Sequence, residues 1–374
     1  MNFVIFTHVT HRSLNGKIYA YGPYVREMNL WVKEHDQLTI VSPFVEDVAP
    51  DPIESSFECL NIRFVRLPLF SFIDFNNGIK SLLLLPFLTF QIFRGLLSKG
   101  HLHFRLPGNV GLLSTILQVF FPFRKKTFKY AGNWHQTSLQ PLSYRLQRLI
   151  AKNPLLTHNA QVLVYGKMTD DADHVVDFYT ATYTENDKSE FALKPVSNDE
   201  SIRLIYVGAL SKGKRPLLAV QVLEELLRSK VHVQLYVCGE GPLKDSLIDY
   251  VRNNKLESHV HLTGNLKRSD VDQLLQKSQF LLMPSKSEGW PKAVAEAMWW
   301  GCIPIASDIS CIPQMLDYGK RGIIVNPDAP AMAAAIMELL NDFERSSKMR
   351  TEAMIWSRQY TLERMQKDIQ RFLA

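Results

Sequence analysis

Short apolar runs alternate with longer amphipathic stretches along almost the whole chain, and this alternation admits few folds. Strands that are apolar along their length, each followed by a helix, build parallel sheets covered by helices on both faces. In the first half the strand candidates are residues 2–6, 38–42, 62–67, 102–105, 127–131 and 161–165. A polar segment, 180–201, follows neither period and reads as a connection between domains. Beyond it the alternation restarts with a strand at 203–208, a helix over 216–228, a strand at 233–239, a helix over about 243–252 and four more short strands. The pattern predicts an α/β chain of two Rossmann-like, doubly wound domains facing a cleft, with functional residues in loops that follow strands. The expected boundaries are 1–185, 186–355, and 356–374 as a terminal helix packing back on the first domain. The length of 374 residues agrees, since single cores stop growing near ~250–300 residues.

With 46% apolar and 21% charged residues, the composition is that of a packed globular protein. Four scattered cysteines form neither a disulfide framework nor a zinc-ligand spacing, so a reducing compartment and no structural metal are expected. No cofactor is expected either. The opening MNFVIFTHVT reads as a first strand rather than a secretion signal, and a cytoplasmic location is expected. The two greasiest stretches, 81–93 and 111–123, fall short of the ~20 residues of a membrane span. Between residues 61 and 152, thirteen Lys and Arg accompany one acid, Asp74, with Phe and Leu interleaved. That suits peripheral attachment to an anionic membrane surface, on its inner face. The competing reading is an ordinary domain whose helices are basic outward; nucleic acid is not the expected partner.

The most informative stretch is MPSKSEGWPKAVAEAMWWGCIPIAS, residues 283–307. A buried strand ends, a polar loop follows, and a helix begins at Pro291 and stops at Gly301. Backbone N–H groups of Gly289 and Trp290 at that helix start favour a phosphate or an electron-rich sugar oxygen. Glu288 in the loop suits the hydroxyls of a sugar, and Glu296 in the helix suits the vicinal diol of a ribose.

At these residues the chain resembles the retaining glycosyltransferases of the two-Rossmann (GT-B) type, in particular family four. The Glu-x7-Glu element, Glu288-GWPKAVA-Glu296, sits in a longer match, S-x-x-E-G-x-P-x-x-x-x-E-A-x-x-x-G-x-P. RLIYVGALSKGKRPLLAV resembles the family's first C-domain strand and diphosphate loop, which implies donor contacts at Gly208 and a phosphate-binding role for Lys214. VCGEGPL resembles its G-x-G-P turn, implying Gly239 and Gly241 beside the donor, and VHLTGNL resembles its V-x-F-x-G strand end. The family usually carries Arg directly after the first glycine, where this chain has Ala209; Lys212 is the candidate replacement. The GEGP turn lacks the third glycine of a dinucleotide fingerprint, which sets NAD aside.

The N-terminal half resembles the family in architecture only. The loop at 7–24 stands where the family has a glycine-rich loop, and Gly16 or Gly22 lets backbone approach the donor phosphates. Arg105, in RLPGN, follows a strand candidate, and His135, in AGNWHQ, is the candidate active-site histidine; His8, His11 and His103 are the alternatives. The resemblance implies transfer of a sugar from a UDP- or GDP-sugar to a saccharide or lipid-linked acceptor hydroxyl, with retention and without metal, in bacterial surface polysaccharide or glycolipid synthesis. Lys214 and Lys212 would stabilise the leaving diphosphate, with Glu288 and His135 as further catalytic candidates. The alternatives are a nucleotide-sugar epimerase or hydrolase on the same fold, and a non-catalytic sugar-nucleotide or lipid-binding subunit.

Overall fold

A computed structural model describes residues 2–33, 35–46, 48–50, 54–70, 75–135, 140–188 and 201–373, with 75–82 described by backbone alone. Most of the polar connection expected over 180–201 therefore lies outside the described residues, as do Asp74 and Gln136. The chain divides into two compact units: Met1–Tyr179 with Met365–Ala374, and Thr180–Arg364. The final residues join the first unit through the Tyr179 hydroxyl, which donates to Asp368 at 2.9 Å, and through Phe372, whose ring meets Phe178 at 5.7 Å.

In the first unit, β1 (Asn2–Phe6), β4 (Gln37–Val45), β6 (Ile62–Leu67), β7 (His101–Leu106), β8 (Lys126–Tyr130), β9 (Ala160–Val164) and β10 (Val175–Asp177) pair in parallel in the order β10-β9-β8-β7-β1-β4-β6. Order reverses at β1, whose neighbours β4 and β7 lie on opposite sides. Register places Phe6, Phe104 and Phe128 side by side, with ring centroids 4.8 and 4.6 Å apart, all fully buried. A hairpin of β2 (His11–Leu14) and β3 (Lys17–Tyr21), followed by β5 (Glu54–Ser56), extends from the end of β4.

Several of the cations counted in the basic stretch are internal. Lys129 is fully buried, its ammonium 4.2 Å from the ring centres of both Tyr165 and Phe178. Lys126 donates to the Gln118 side chain and the Phe121 carbonyl, both at 2.9 Å, and burial lowers its pKa to about 8. Arg124 donates to the carbonyls of Leu96, Ser98 and Gly100. Part of the charge excess thus holds the domain together. Among the described residues no helix is long and apolar enough to cross a membrane.

The second unit is a six-stranded parallel sheet ordered β13-β12-β11-β14-β15-β16. Its strands are β11 (Ile202–Val207), β12 (Val233–Cys238), β13 (Val260–Gly264), β14 (Phe280–Met283), β15 (Ile303–Ser307) and β16 (Ile323–Val325). Alternate strand residues such as Leu204, Leu235, Leu282 and Ile305 form one buried cluster with helices Pro216–Arg228 and Ala329–Asn341. As in the first unit, the strand order reverses beside the first strand, β11, between β12 and β14.

Candidate functional site

The loops that leave β11, β12 and β13 are tied together by backbone hydrogen bonds. Gly208 N–H donates to Cys238, Leu210 N–H to Glu240, Leu243 N–H back to Leu210, and Gly239 N–H to Gly264, all between 2.9 and 3.0 Å. Gly239 and Gly241 hold φ of +153° and +156°, and a Cβ would lie 2.0 Å from the Gly208 carbonyl oxygen at one and 2.6 Å from that of Leu210 at the other. Only glycine permits this approach. Both glycines expected at the donor therefore press directly on the loop that carries Ala209 and Lys214.

Loop 211–215 is a tight turn whose Lys214 N–H donates to Ser211. The Tyr206 hydroxyl supports it from beneath, donating to the Ala209 carbonyl at 3.0 Å. From the neighbouring strand β14, the loop toward Glu288 is fastened to it by Lys286 N–H donating to the Gly213 carbonyl at 2.8 Å. These ties bring together two side chains 74 positions apart: Lys214 Nζ donates to both oxygens of Glu288, at 2.5 and 2.6 Å. The Glu288 side chain is 8% exposed and that of Lys214 32%, so the pair sits at the rim of the interior, where a charge-assisted contact is strong and still within reach of solvent. Burial and the Glu288 charge raise the pKa of Tyr206.

The peptide after Glu288 is fixed from β15: Ser310 Oγ and Cys311 Sγ both donate to the Gly289 carbonyl, at 3.0 and 3.4 Å. Trp290 packs within an aromatic group, 6.3 Å from Trp356 and 6.0 Å from Tyr360. The helix runs Lys292–Trp299 with Pro291 as N-cap, so Gly289 and Trp290 lie just before its positive end. Glu296, on that helix, has a different partner from Glu288: Thr182 Oγ1 donates to it at 2.8 Å. Burial holds the Glu296 carboxyl above the usual carboxylate range, opposed by that hydrogen bond. Beside it, Tyr183 donates to Asp272 at 2.6 Å, and Trp300 Nε1 donates to the Tyr183 hydroxyl at 2.8 Å. Lys212 is exposed on the turn. Tyr206, Ser310 and Thr182 were not singled out from sequence, because each acts through a partner brought near only by folding.

In the first unit the candidate residues are spread over several strand ends. Gly16 follows Asn15 in the β2–β3 turn, with φ of +74° and +50°, and no atom approaches within 4 Å of where its Cβ would stand. Gly22 opens the helix Gly22–Val32. Arg105, at the end of β7, pairs with Glu27 at 3.1 Å and covers the Tyr24 ring at 5.0 Å. His135 follows β8; its N–H donates to Asn133 Oδ1 at 3.0 Å and its carbonyl accepts from Arg148 at 2.7 Å. Of the alternatives, His11 and His103 are fully buried, beside Ser42 at 2.9 Å and Thr127 at 2.8 Å. His8 lies at the turn after β1, against Gly108, and its pKa is lowered by burial and then by Arg105. Among the described residues no three His, Cys, Asp or Glu side chains gather as a metal site.

Residues 187–356 match the family described as "Glycosyl transferases group 1". An alpha-D-kanosaminyltransferase of Streptomyces kanamyceticus is 25% identical over 171 residues, 46% of this chain and 44% of that protein. A GDP-mannose:cellobiosyl-diphosphopolyprenol alpha-mannosyltransferase of Xanthomonas oryzae is 29% identical over 164 residues, 42% of each chain. The matches thus span less than half the length of these relatives. By structure, Anabaena HepE in complex with UDP superposes with a TM-score of 0.68 at 12% identity, over 100% of this chain and 99% of that one. Sucrose-phosphate synthase from Thermosynechococcus elongatus gives 0.66 at 17% identity, over 99% and 98%. The fold is the GT-B type expected from the sequence.

Proposed function

From the match of residues 187–356 to the glycosyl transferases group 1 family, we propose that the chain is a retaining glycosyltransferase of that family. It moves a sugar from a nucleotide-sugar, a UDP- or GDP-sugar, to an acceptor hydroxyl. The acceptor is a saccharide or a lipid-linked saccharide, handled by the N-terminal unit, and the product belongs to bacterial surface polysaccharide or glycolipid synthesis. The enzyme works without metal, in the cytoplasm, at the inner face of the membrane. The donor class is supported by the UDP complex of HepE and by the GDP-mannose named for the Xanthomonas relative.

The Lys214–Glu288 contact is the observation that carries the reading. An ammonium has three N–H donors. Two face Glu288, which aims the third outward, toward a phosphoryl oxygen. As the glycosidic bond to the diphosphate breaks, negative charge grows on the leaving oxygen, and a cation already held in place stabilises it without reorganisation. Glu288, held by the same contact and by its tied loop, accepts from the sugar's hydroxyls and fixes the ring. Glu296, whose carboxyl burial holds above the usual carboxylate range, is suited to the ribose diol, whose two hydroxyls can donate to its two oxygens. The departing diphosphate takes the acceptor's proton on the face it leaves.

Incubation with nucleotide-sugars and candidate acceptors, followed by NMR of the product, tests this. Nucleoside diphosphate is expected to appear only in step with an acceptor-linked sugar of unchanged anomeric configuration. Free or epimerised sugar released without acceptor would establish the hydrolase or epimerase reading instead.

A further inference from the structure

We infer that Thr182 is a positioning residue for the donor's nucleotide: its hydroxyl fixes the plane of the Glu296 carboxylate, and through it the preference of the site for a ribose over a 2′-deoxyribose. The inference rests on the donor reading above and names the side chain that makes Glu296 competent in it.

Glu296 differs from Glu288 in what holds it. Lys214 grips Glu288 with an ammonium, whereas Glu296 Oε1 accepts from the Thr182 hydroxyl at 2.8 Å. A glutamate's last torsion is broad, so its own bonds leave the carboxylate plane unfixed. Contact with a vicinal diol demands a fixed plane, because each carboxylate oxygen must meet its own hydroxyl. One hydroxyl donor sets that plane and occupies one of about four acceptor positions on the two oxygens.

Thr182 is itself held. The chain enters the second unit at Thr180, and the residues that follow are fastened to the helix that carries Glu296. The Tyr183 ring stacks on Trp299 at 4.6 Å, and its hydroxyl accepts from Trp300 at 2.8 Å. Trp299 and Trp300 stand three and four residues after Glu296, so they neighbour it on one helix face. Thr182 and Tyr183 thus engage the same face. The Tyr183 carbonyl accepts from Leu362 N–H, and Glu185 accepts from the Thr361 hydroxyl, both at 2.8 Å, which tie the segment to the stretch just before the chain leaves the unit. A hydroxyl on a segment pinned at these points serves Glu296 without rearrangement.

The electrostatics give the hydroxyl a second task. Burial favours the uncharged acid at Glu296, and the Thr182 hydrogen bond is the largest influence against it. Lys292 on the same helix and Arg268 on the helix Arg268–Lys277 also favour the charge, while Asp272 on that second helix opposes it. Tyr183 stays neutral, because burial and then the Glu296 charge raise its pKa. Removing the Thr182 hydroxyl therefore frees the carboxylate plane and also favours the acid, which carries a proton on one of the two oxygens the diol needs.

Isothermal titration of UDP, GDP and their 2′-deoxy counterparts into the parent, Thr182→Val, Thr182→Ala and Thr182→Ser tests the inference. The readout is the ratio of dissociation constants for the deoxy and ribo forms, from which the shared diphosphate cancels. The parent should favour the ribonucleotide by about tenfold or more, the scale of a hydrogen bond to a charged group. Thr182→Val, close in shape, and Thr182→Ala should bring the ratio to within about threefold of unity at pH 7, with partial recovery as pH rises. Thr182→Ser, which keeps the hydroxyl, should stay within about twofold of the parent. Hydroxyl-free variants that weaken both nucleotides alike, and so keep the parent's ratio, would reduce Thr182 to a structural role and overturn the inference. A serine variant that loses the ratio would overturn it too. A parent that binds a ribonucleotide without preferring it would overturn the inference and leave the Lys214 contact standing. Binding of neither ribonucleotide would overturn the inference together with the donor reading.

Discussion

Lys214 and Glu288 come from loops after different strands, and each is positioned by backbone bonds rather than by its own flexibility. Replacing Lys214 by Ala removes the cation proposed to face the leaving group and leaves Glu288 without its Lys214 partner. Turnover should fall on the order of 10²–10³-fold, the scale for losing one preorganised charge. Lys212→Ala is the control from the same turn; its exposed side chain predicts a change below about tenfold if the missing arginine at Ala209 is not replaced by it. Steady-state rates of the two variants, measured side by side, decide whether one lysine or two serve the diphosphate. Legibility differed sharply between residues here. The corner around Glu288 was readable because its chemistry is contiguous in sequence. Lys129 was not: a lysine in a basic stretch reads as surface charge, and the rings of Tyr165 and Phe178 that enclose it arrive from distant strand ends.

The strand-end loops of the second unit behave as one element, because the glycine turn after β12 lies in van der Waals contact with the loop after β11. Gly241→Ala places a methyl group 2.6 Å from the Leu210 carbonyl oxygen at a φ that L-residues rarely adopt. It should cost about 2–4 kcal/mol of stability and weaken donor binding by displacing the Lys214 loop. Gly213→Ala, in the same loop with nothing within 4 Å, should stay within about 0.5 kcal/mol. Chemical denaturation of both variants checks the contrast; equal losses would contradict it. Most sheet strands of both units were legible to within a few residues, because buried parallel strands are apolar throughout. The β2–β3 hairpin was missed. Its strands, HRSL and KIYAY, are mostly half-buried and show no clean alternation, so the Asn15-Gly16 turn between them lacks the flanking pattern that marks a hairpin.

The two units also differ in what they bury. The first holds His11, His101 and His103 with pKa values lowered by burial, to about 3 for His11 and His101 and well below the ordinary value for His103. Unfolding lets these imidazoles bind protons that the folded state refuses, so their stabilising effect is complete above about pH 6.5 and is lost as pH falls toward 3. Thermal midpoints should therefore decline between pH 6.5 and 4.5. His11→Asn, which keeps a hydrogen-bonding group beside Ser42, should flatten the slope by up to about 1.4 kcal/mol per pH unit. A variant with the parent's slope would show that His11 is not buried neutral.

Isothermal titration of a panel of nucleotide-sugars into the parent chain and into Lys214→Ala bears on the proposed donor corner without any need for an acceptor. At least one donor is expected to bind the parent and to bind the variant more than about tenfold more weakly, as loss of a charge-assisted phosphate contact requires. If no donor binds, or if the same donor binds both proteins equally, the strand-end corner of Lys214 and Glu288 does not hold the activated sugar.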